Sequence, residues 1–174
     1  RSGGSTYRLG IPAPGAAVIT TPTIPEEDPD TLLELEDVYY VLTVVDSFGA
    51  EGPPSPPSAG VTRVRNDALE VLFSTKPTGN YNFGPGAKIR VYRSNTGTSD
   101  TAFQFAGEVA FTAPGFTDDV ANDELQEVLP SQTWLGPPDD DSSTWPDGPL
   151  QGLTLGPNGV MAGFAKKSIY FCEP

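Results

Sequence analysis

The sequence predicts an all-β chain: a two-sheet β-sandwich followed by a short three-stranded meander. Three observations predict it. Glycine and proline number 19 each in 174 residues, so breakers recur throughout and favour short strands joined by turns over a helical bundle. The apolar runs between the breakers are short and rich in Val, Ile, Phe and Tyr, residues that fit a pleated surface. The clearest run, Val38-Tyr39-Tyr40-Val41-Leu42-Thr43-Val44-Val45, stops at Gly49 and a proline-rich turn, as a central strand does.

Taken in order, residues 1–36 form an extended N-terminal arm. It opens with Arg1-Ser2-Gly3-Gly4-Ser5, passes a short strand candidate at 6–9 and the breakers Pro12-Ala13-Pro14-Gly15, and reaches an apolar stretch at 15–20 that the sandwich can recruit. The following run carries Glu26, Glu27, Asp28 and Asp30. These are candidates for a cation site on paper, but an acidic, proline-bearing run reads first as a solvated linker.

Residues 37–120 are the sandwich. In the central strand Tyr40, Leu42 and Val44 point one way and Tyr39, Val41, Thr43 and Val45 the other, so both faces are partly covered. Residues 52–58 make a stiff turn, and strands follow at 60–64 and 68–74 around the tight turn Arg65-Asn66-Asp67. Residues 76–86 are a long loop holding Tyr81 and Phe83. A half-exposed strand at 87–94 alternates Ile89, Val91 and Arg93 with Arg90 and Tyr92. After the turn at 95–98, a strand at 103–109 places Phe103, Phe105, Gly107 and Val109 on one side, and 114–119 closes the series.

Residues 121–150 are an acidic loop rich in proline and carrying Trp134 and Trp145. Its Asp139-Asp140-Asp141 run lacks the alternating ligand spacing and central glycine of a calcium loop, so it reads as solvated. The tryptophans read first as anchors of the loop to its own domain. Residues 151–174 hold three short strands with tight turns, a meander resembling most of one β-propeller blade. So small a sheet leaves an open edge, so it needs another sheet or another chain, and it is read as part of a larger domain. The start at Arg1 and the stop at Pro174 directly after a strand-like run give the expectation of a piece of a longer polypeptide.

Composition excludes several functions. The net charge of −13 repels phosphate backbones and anionic lipid, so neither direct nucleic-acid binding nor membrane association is expected. With no histidine, the Ser-His-Asp and Cys-His mechanisms, the usual zinc sites and any histidine switch fall away. The single cysteine, Cys172, has no internal disulfide partner. No apolar run approaches the roughly 20 residues of a membrane helix. A glycosidase needs two carboxylates at a fixed separation; among 23 acidic residues some pair always exists, so that signal carries no specificity. No catalytic, metal-ligating or cofactor-binding residue is assigned.

Two motifs carry a resemblance. The words Tyr40-x-Leu42-x-Val44-Val45-Asp46-x-x-Gly49-x-x-x-Pro53 resemble the late strand of fibronectin type III modules. The segments Ile89-x-Val91-Tyr92-Arg93-Ser94-Asn95-Thr96-Gly97, Phe105-Ala106-Gly107-Glu108-Val109 and Phe116-Thr117-Asp118 resemble their middle strands. Here the late strand comes first, which implies one permuted immunoglobulin-like sandwich over two incomplete modules, each of which has too few strands for two facing sheets.

The C-terminal words Leu155-Gly156-Pro157-Asn158-Gly159-Val160-Met161-Ala162-Gly163-Phe164 and Ile169-Tyr170-Phe171-Cys172-Glu173-Pro174 resemble a segment of large virion proteins of tailed bacteriophages. The resemblance implies a structural component of the phage tail, of the hub, nozzle or adaptor kind, assembled in the host cytoplasm. Its partners would be copies of itself in a symmetric ring and other tail proteins; no catalysis and no cofactor are implied. Two alternatives stand beside it. One is a carbohydrate-binding or adhesion module using the candidate interaction residues Trp134, Trp145, Tyr81 and Phe83; the other is a capsid-decorating protein.

Overall fold

A computed structural model describes residues 6–8, 10–26, 32–96, 101–133, 135–140 and 142–172. The chain divides into two compact units, one of residues 11–134 and one of residues 1–10 with 135–174. All regular structure among the described residues is antiparallel strand, apart from a single 3₁₀ turn at Pro157–Gly159.

The larger unit holds eight strands: β1 (Ala17–Ile19), β2 (Leu35–Val38), β3 (Tyr40–Val45), β4 (Val61–Val64), β5 (Leu69–Phe73), β6 (Lys88–Thr96), β7 (Thr101–Ala110) and β8 (Gly115–Asp118). One sheet runs β1-β5-β8, another β3-β6-β7, and β2 pairs with β4. The two three-stranded sheets share one core. Ala17, Leu69 and Val71 from the first meet Tyr40, Leu42, Val44, Ile89 and Val91 from the second, with Val38 and Ile11 completing it. That is a β-sandwich, and residues 11–26 belong to the same unit as the sandwich, with β1 pairing in it. Gly107 permits close approach of the sheets, because a Cβ there would lie 2.7 Å from the Phe116 ring.

The apolar run from Val38 to Val45 is not one strand. Val38 ends β2, which pairs with β4, and Tyr40 begins β3, which pairs with β6. The change of sheet falls at Tyr39. Its N–H donates to Ser94 Oγ at 2.9 Å and its carbonyl accepts from the Ser94 N–H at 2.8 Å, so the corner is held by one serine. Within β3 the expected alternation holds: Tyr40, Leu42 and Val44 lie in the main core, and Val41 lies in a second, smaller cluster with Tyr92, Phe103 and Leu129.

Two expectations about β6 and β7 are corrected. β6 is covered on both faces rather than half-exposed, since Ile89, Val91, Tyr92 and Arg93 are all buried. In β7, Phe103 and Phe105 pack with the smaller cluster while Val109 packs against the main core. The reason is a bulge: Val91 pairs with Gly107 but Tyr92 pairs with Phe105, so Ala106 is an extra residue and the strand changes face there.

The β3 edge of the β3-β6-β7 sheet is sealed, and the β7 edge is sealed at Phe103 to Phe105. Along β3 runs the proline-rich segment 52–58, whose Gly52, Ser55 and Ser58 N–H groups donate to the carbonyls of Val44, Leu42 and Tyr40. The Ser55 and Ser58 hydroxyls accept from the Leu42 and Tyr40 N–H groups, both at 3.0 Å. The prolines cannot donate, so the donors are the Gly52, Ser55 and Ser58 N–H groups between them, and the two serine hydroxyls serve as the acceptors for the β3 N–H groups. Along β7, Phe105 N–H donates to Glu127, and Gln126 and Leu129 N–H groups donate to Phe105 and Phe103.

The smaller unit contains β9 (Gln151–Leu155), β10 (Met161–Ala165) and β11 (Ser168–Phe171), a meander in the order β11-β10-β9. Lys166, at φ 48, turns the chain from β10 into β11.

Candidate functional site

At the pole of the sandwich where β2 and β6 meet β8, charged side chains enter the interior. Inward alternation along β6 carries Arg93 onto the side of Ile89 and Val91, and β4 turns Arg63 the same way. Both arginines and Asp118 are 0% exposed. Buried charges demand partners, and the chain supplies them from five elements. Arg93 Nη1 donates to Asp118 Oδ2 at 2.6 Å and to the Val120 carbonyl at 2.9 Å, and its Nη2 donates to Asn122 Oδ1 at 2.9 Å. The Tyr40 hydroxyl donates to the same Asp118 oxygen at 2.5 Å, and Arg63 Nη1 stands 3.9 Å from it. Arg63 also donates to Glu36 Oε1 at 2.9 Å and to the Asp67 carbonyl at 2.6 Å. Asn122 closes the circuit by donating to Glu36 Oε2 at 2.5 Å.

The electrostatics follow from this packing. Burial, with the Asp118 charge and the hydrogen bond to it, pushes the Tyr40 phenol far above its ordinary range; the two arginines oppose this and lose. At Glu36 burial acts to raise the carboxyl, but hydrogen bonds from Asn122, the Asn66 N–H and Arg63, together with the Arg63 charge, outweigh it and hold the group low. The network thus favours a neutral Tyr40 phenol and a charged Glu36 carboxylate. The arrangement ties β3 and β6 of one sheet to β8 of the other and to the β2-β4 pair.

A polar cavity of about 490 Å³ adjoins it, sharing Asn66 and Asn122 with the network and bounded also by Glu34, Arg65 and Asp123. Asn66 takes φ 65 in the β4-β5 turn, a left-handed conformation asparagine tolerates better than most residues. Its side chain accepts from the Asn122 N–H at 3.0 Å.

A second ionic group lies on the outer face of the β3-β6-β7 sheet. Thr43 and Tyr92 hydroxyls donate to Glu51 Oε1 at 2.5 and 2.9 Å, and Arg90 bridges Glu51 at 3.0 Å and Glu108 at 3.4 Å while Lys88 also pairs with Glu108. Burial first, then the Glu51 charge and hydrogen bond, push the Tyr92 phenol up to about 12. The hydrogen bond from Lys88 leads in holding Glu108 low, against burial.

The candidate aromatic residues fall in different places. Tyr81 and Phe83 are half-buried, packed against the main core; their rings stand 5.4 Å apart and Phe83 stacks on Phe111 at 4.4 Å. Trp145 is half-buried in the other unit, edge-on to Tyr170 at 5.7 Å. Trp134 lies outside the described residues, as do Glu27, Asp28, Asp30 and Asp141. Among the described candidates, the structure brings Tyr81 and Phe83 together. Asp140 pairs with Arg8 at 2.6 Å, and among the described residues no three His, Cys, Asp or Glu side chains converge as a metal site would require. No helix among the described residues is long and apolar enough to cross a membrane.

Sequence reasoning named none of the buried network. The signal was present in one place: Arg93 sits on the inward register with apolar neighbours, and an inward arginine requires buried acceptors.

Comparison with known protein families, with curated proteins and with solved structures finds no match to this chain.

Proposed function

We propose that this chain is a non-catalytic structural component of a tailed-phage virion, a hub, nozzle or adaptor part working as a ring of copies. One observation carries the reading: where charge enters the interior it is consumed in tying strands together, while open apolar surface gathers on the C-terminal meander. Leu153, Leu155, Phe164, Ile169 and Phe171 are all exposed there. A chain built this way holds shape and offers contact surface. The strand order supports a permuted fibronectin type III-like sandwich, because β3, early in the sequence, takes the place beside β6 that the late tyrosine-bearing strand has in such modules. The meander is read as part of a propeller-like blade. Strong acidity suits a conduit wall, to which passing DNA does not adhere.

The test is mass spectrometry and immunogold labelling of virions purified from a culture that encodes this chain. Multiple copies per particle, with label on the tail, are expected. Label on the capsid would select the decorating role, and absence from virions would end the proposal.

A further inference from the structure

We infer that Asn158 is a site of spontaneous covalent modification, losing its side-chain amide to become aspartate or isoaspartate. The inference is independent of the assembly reading above. Of the six asparagines in the chain, Asn158 alone precedes a glycine. The reaction needs the backbone nitrogen of the next residue to reach the asparagine Cγ, and a Cβ on that residue crowds the approach; Gly159 has none.

The pair lies in the 3₁₀ turn Pro157–Gly159 that joins β9 to β10. Gly159 is exposed, takes φ 79, and has nothing within 4 Å of where a Cβ would stand. The turn is weakly closed: Val160 N–H to the Pro157 carbonyl spans 3.5 Å, beyond the reach of about 2.7–3.2 Å of an ordinary N–H···O bond. The firmer contact, from Gly156 N–H to the Val160 carbonyl at 2.8 Å, lies at the base of the loop. The turn can therefore open while Leu155 and Met161 stay paired.

Elsewhere the fold holds the same chemistry shut. After Asn66, the Asp67 N–H donates to the Val64 carbonyl at 3.0 Å; after Asn82, the Phe83 N–H donates to the Tyr81 carbonyl at 2.9 Å. Asn95 and Asn122 donate their side-chain amides to Gln104 and Glu36. The Asp147-Gly148 pair has the atoms for the same ring closure. There, however, the Gly148 N–H donates to the Trp145 carbonyl at 2.8 Å and the Asp147 carboxylate accepts from Ser168 at 2.9 Å.

The step balances with water alone. The Gly159 nitrogen gives up its proton and bonds to Asn158 Cγ; the bond from Cγ to the amide nitrogen breaks, and that nitrogen leaves as ammonia with the proton. The five-membered imide then takes up one water. Opening at Cγ gives aspartate, and opening at the backbone carbonyl gives isoaspartate, which adds one methylene to the main chain of the loop. Because the nitrogen must first lose its proton, the rate rises with pH. Either product puts a carboxylate into residues 148–172, which carry Lys166 and Lys167 and none of their own.

The test is peptide mapping by mass spectrometry of the full 174-residue chain, folded and in urea, at neutral and mildly alkaline pH, with isoaspartyl methyltransferase labelling. In the folded chain Asn158 should convert before any other asparagine and faster at the higher pH. Its rate should lie within about tenfold of that in urea. Asp147 should take label only in urea, and Asn158→Gln should remove the label from the folded chain. Asn158 that keeps its amide until urea is added, another asparagine converting first, or a label that survives Asn158→Gln would overturn the assignment.

Discussion

Arg93 and Asp118, neither of them exposed to solvent, meet at 2.6 Å from opposite sheets of the sandwich. Replacing Asp118 with Asn keeps the volume but leaves Arg93 and Arg63 short of a buried counter-charge. Removing one partner of a buried pair costs about 3–5 kcal/mol. Urea denaturation of Asp118→Asn should show that loss; a change under about 1 kcal/mol would mean the guanidiniums find other acceptors.

Tyr40 donates to that same carboxylate, and Tyr40→Phe deletes one oxygen from a packed interior. A hydrogen bond to a charged group contributes about 1.5–3 kcal/mol, which sets the expected loss in the same assay.

The phenols also set a high-pH limit. Tyr40 and Tyr92 ionise later in the folded chain than at the ordinary 10.0. The unfolded chain therefore loses protons first, and the stability these groups contribute is intact below pH 10 and falls as pH rises beyond it. In an ultraviolet titration Tyr40 and Tyr92 should resist ionisation past pH 10 while the fold persists. Ionisation of Tyr40 and Tyr92 at pH 10 while the native signal persists would contradict their buried positions.

At the acid end the sign reverses. Glu36 is held below its ordinary 4.5, so its contribution is present above that value and is lost as pH falls beneath it. Glu36→Gln should lower stability at neutral pH and flatten its pH dependence below 4.5. Parallel curves for the variant and the wild-type chain would remove Glu36 from the account.

The seal on β3 depends on two hydroxyls. Ser55→Ala and Ser58→Ala leave the Leu42 and Tyr40 N–H groups unsatisfied, each at a cost of about 1–3 kcal/mol. Faster amide exchange at Leu42 and Tyr40 is the measurement; unchanged exchange would show that the proline segment holds without them.

Much of the strand layout was legible. The runs at 60–64, 68–74 and 114–119 became β4, β5 and β8, because alternation bounded by turn residues is a local property. The corner at Tyr39 was not legible, since Ser94, which holds it, lies 55 residues away and the apolar run shows no break. Nor was the change of face at Ala106, which depends on the register against β6. The polar network escaped for the same reason: Glu36 and Asn122 are 86 positions apart, and neither looks remarkable in its own surroundings. Of the loop aromatics, proximity in sequence placed Tyr81 beside Phe83, while the ring partner Phe111 is supplied by the fold.

The reach of that network bears on how fast the chain folds and unfolds. Tyr40 and Asp118 are 78 positions apart, so their contact closes a long stretch of chain, and if it forms by the rate-limiting step it slows folding. Interactions made after the rate-limiting step leave the folding rate almost unchanged and hold back unfolding. A cluster made after that step acts as a late latch, and weakening it with Asp118→Asn should hasten loss of the fold and leave refolding unchanged; slowed refolding would place the cluster in the rate-limiting step instead.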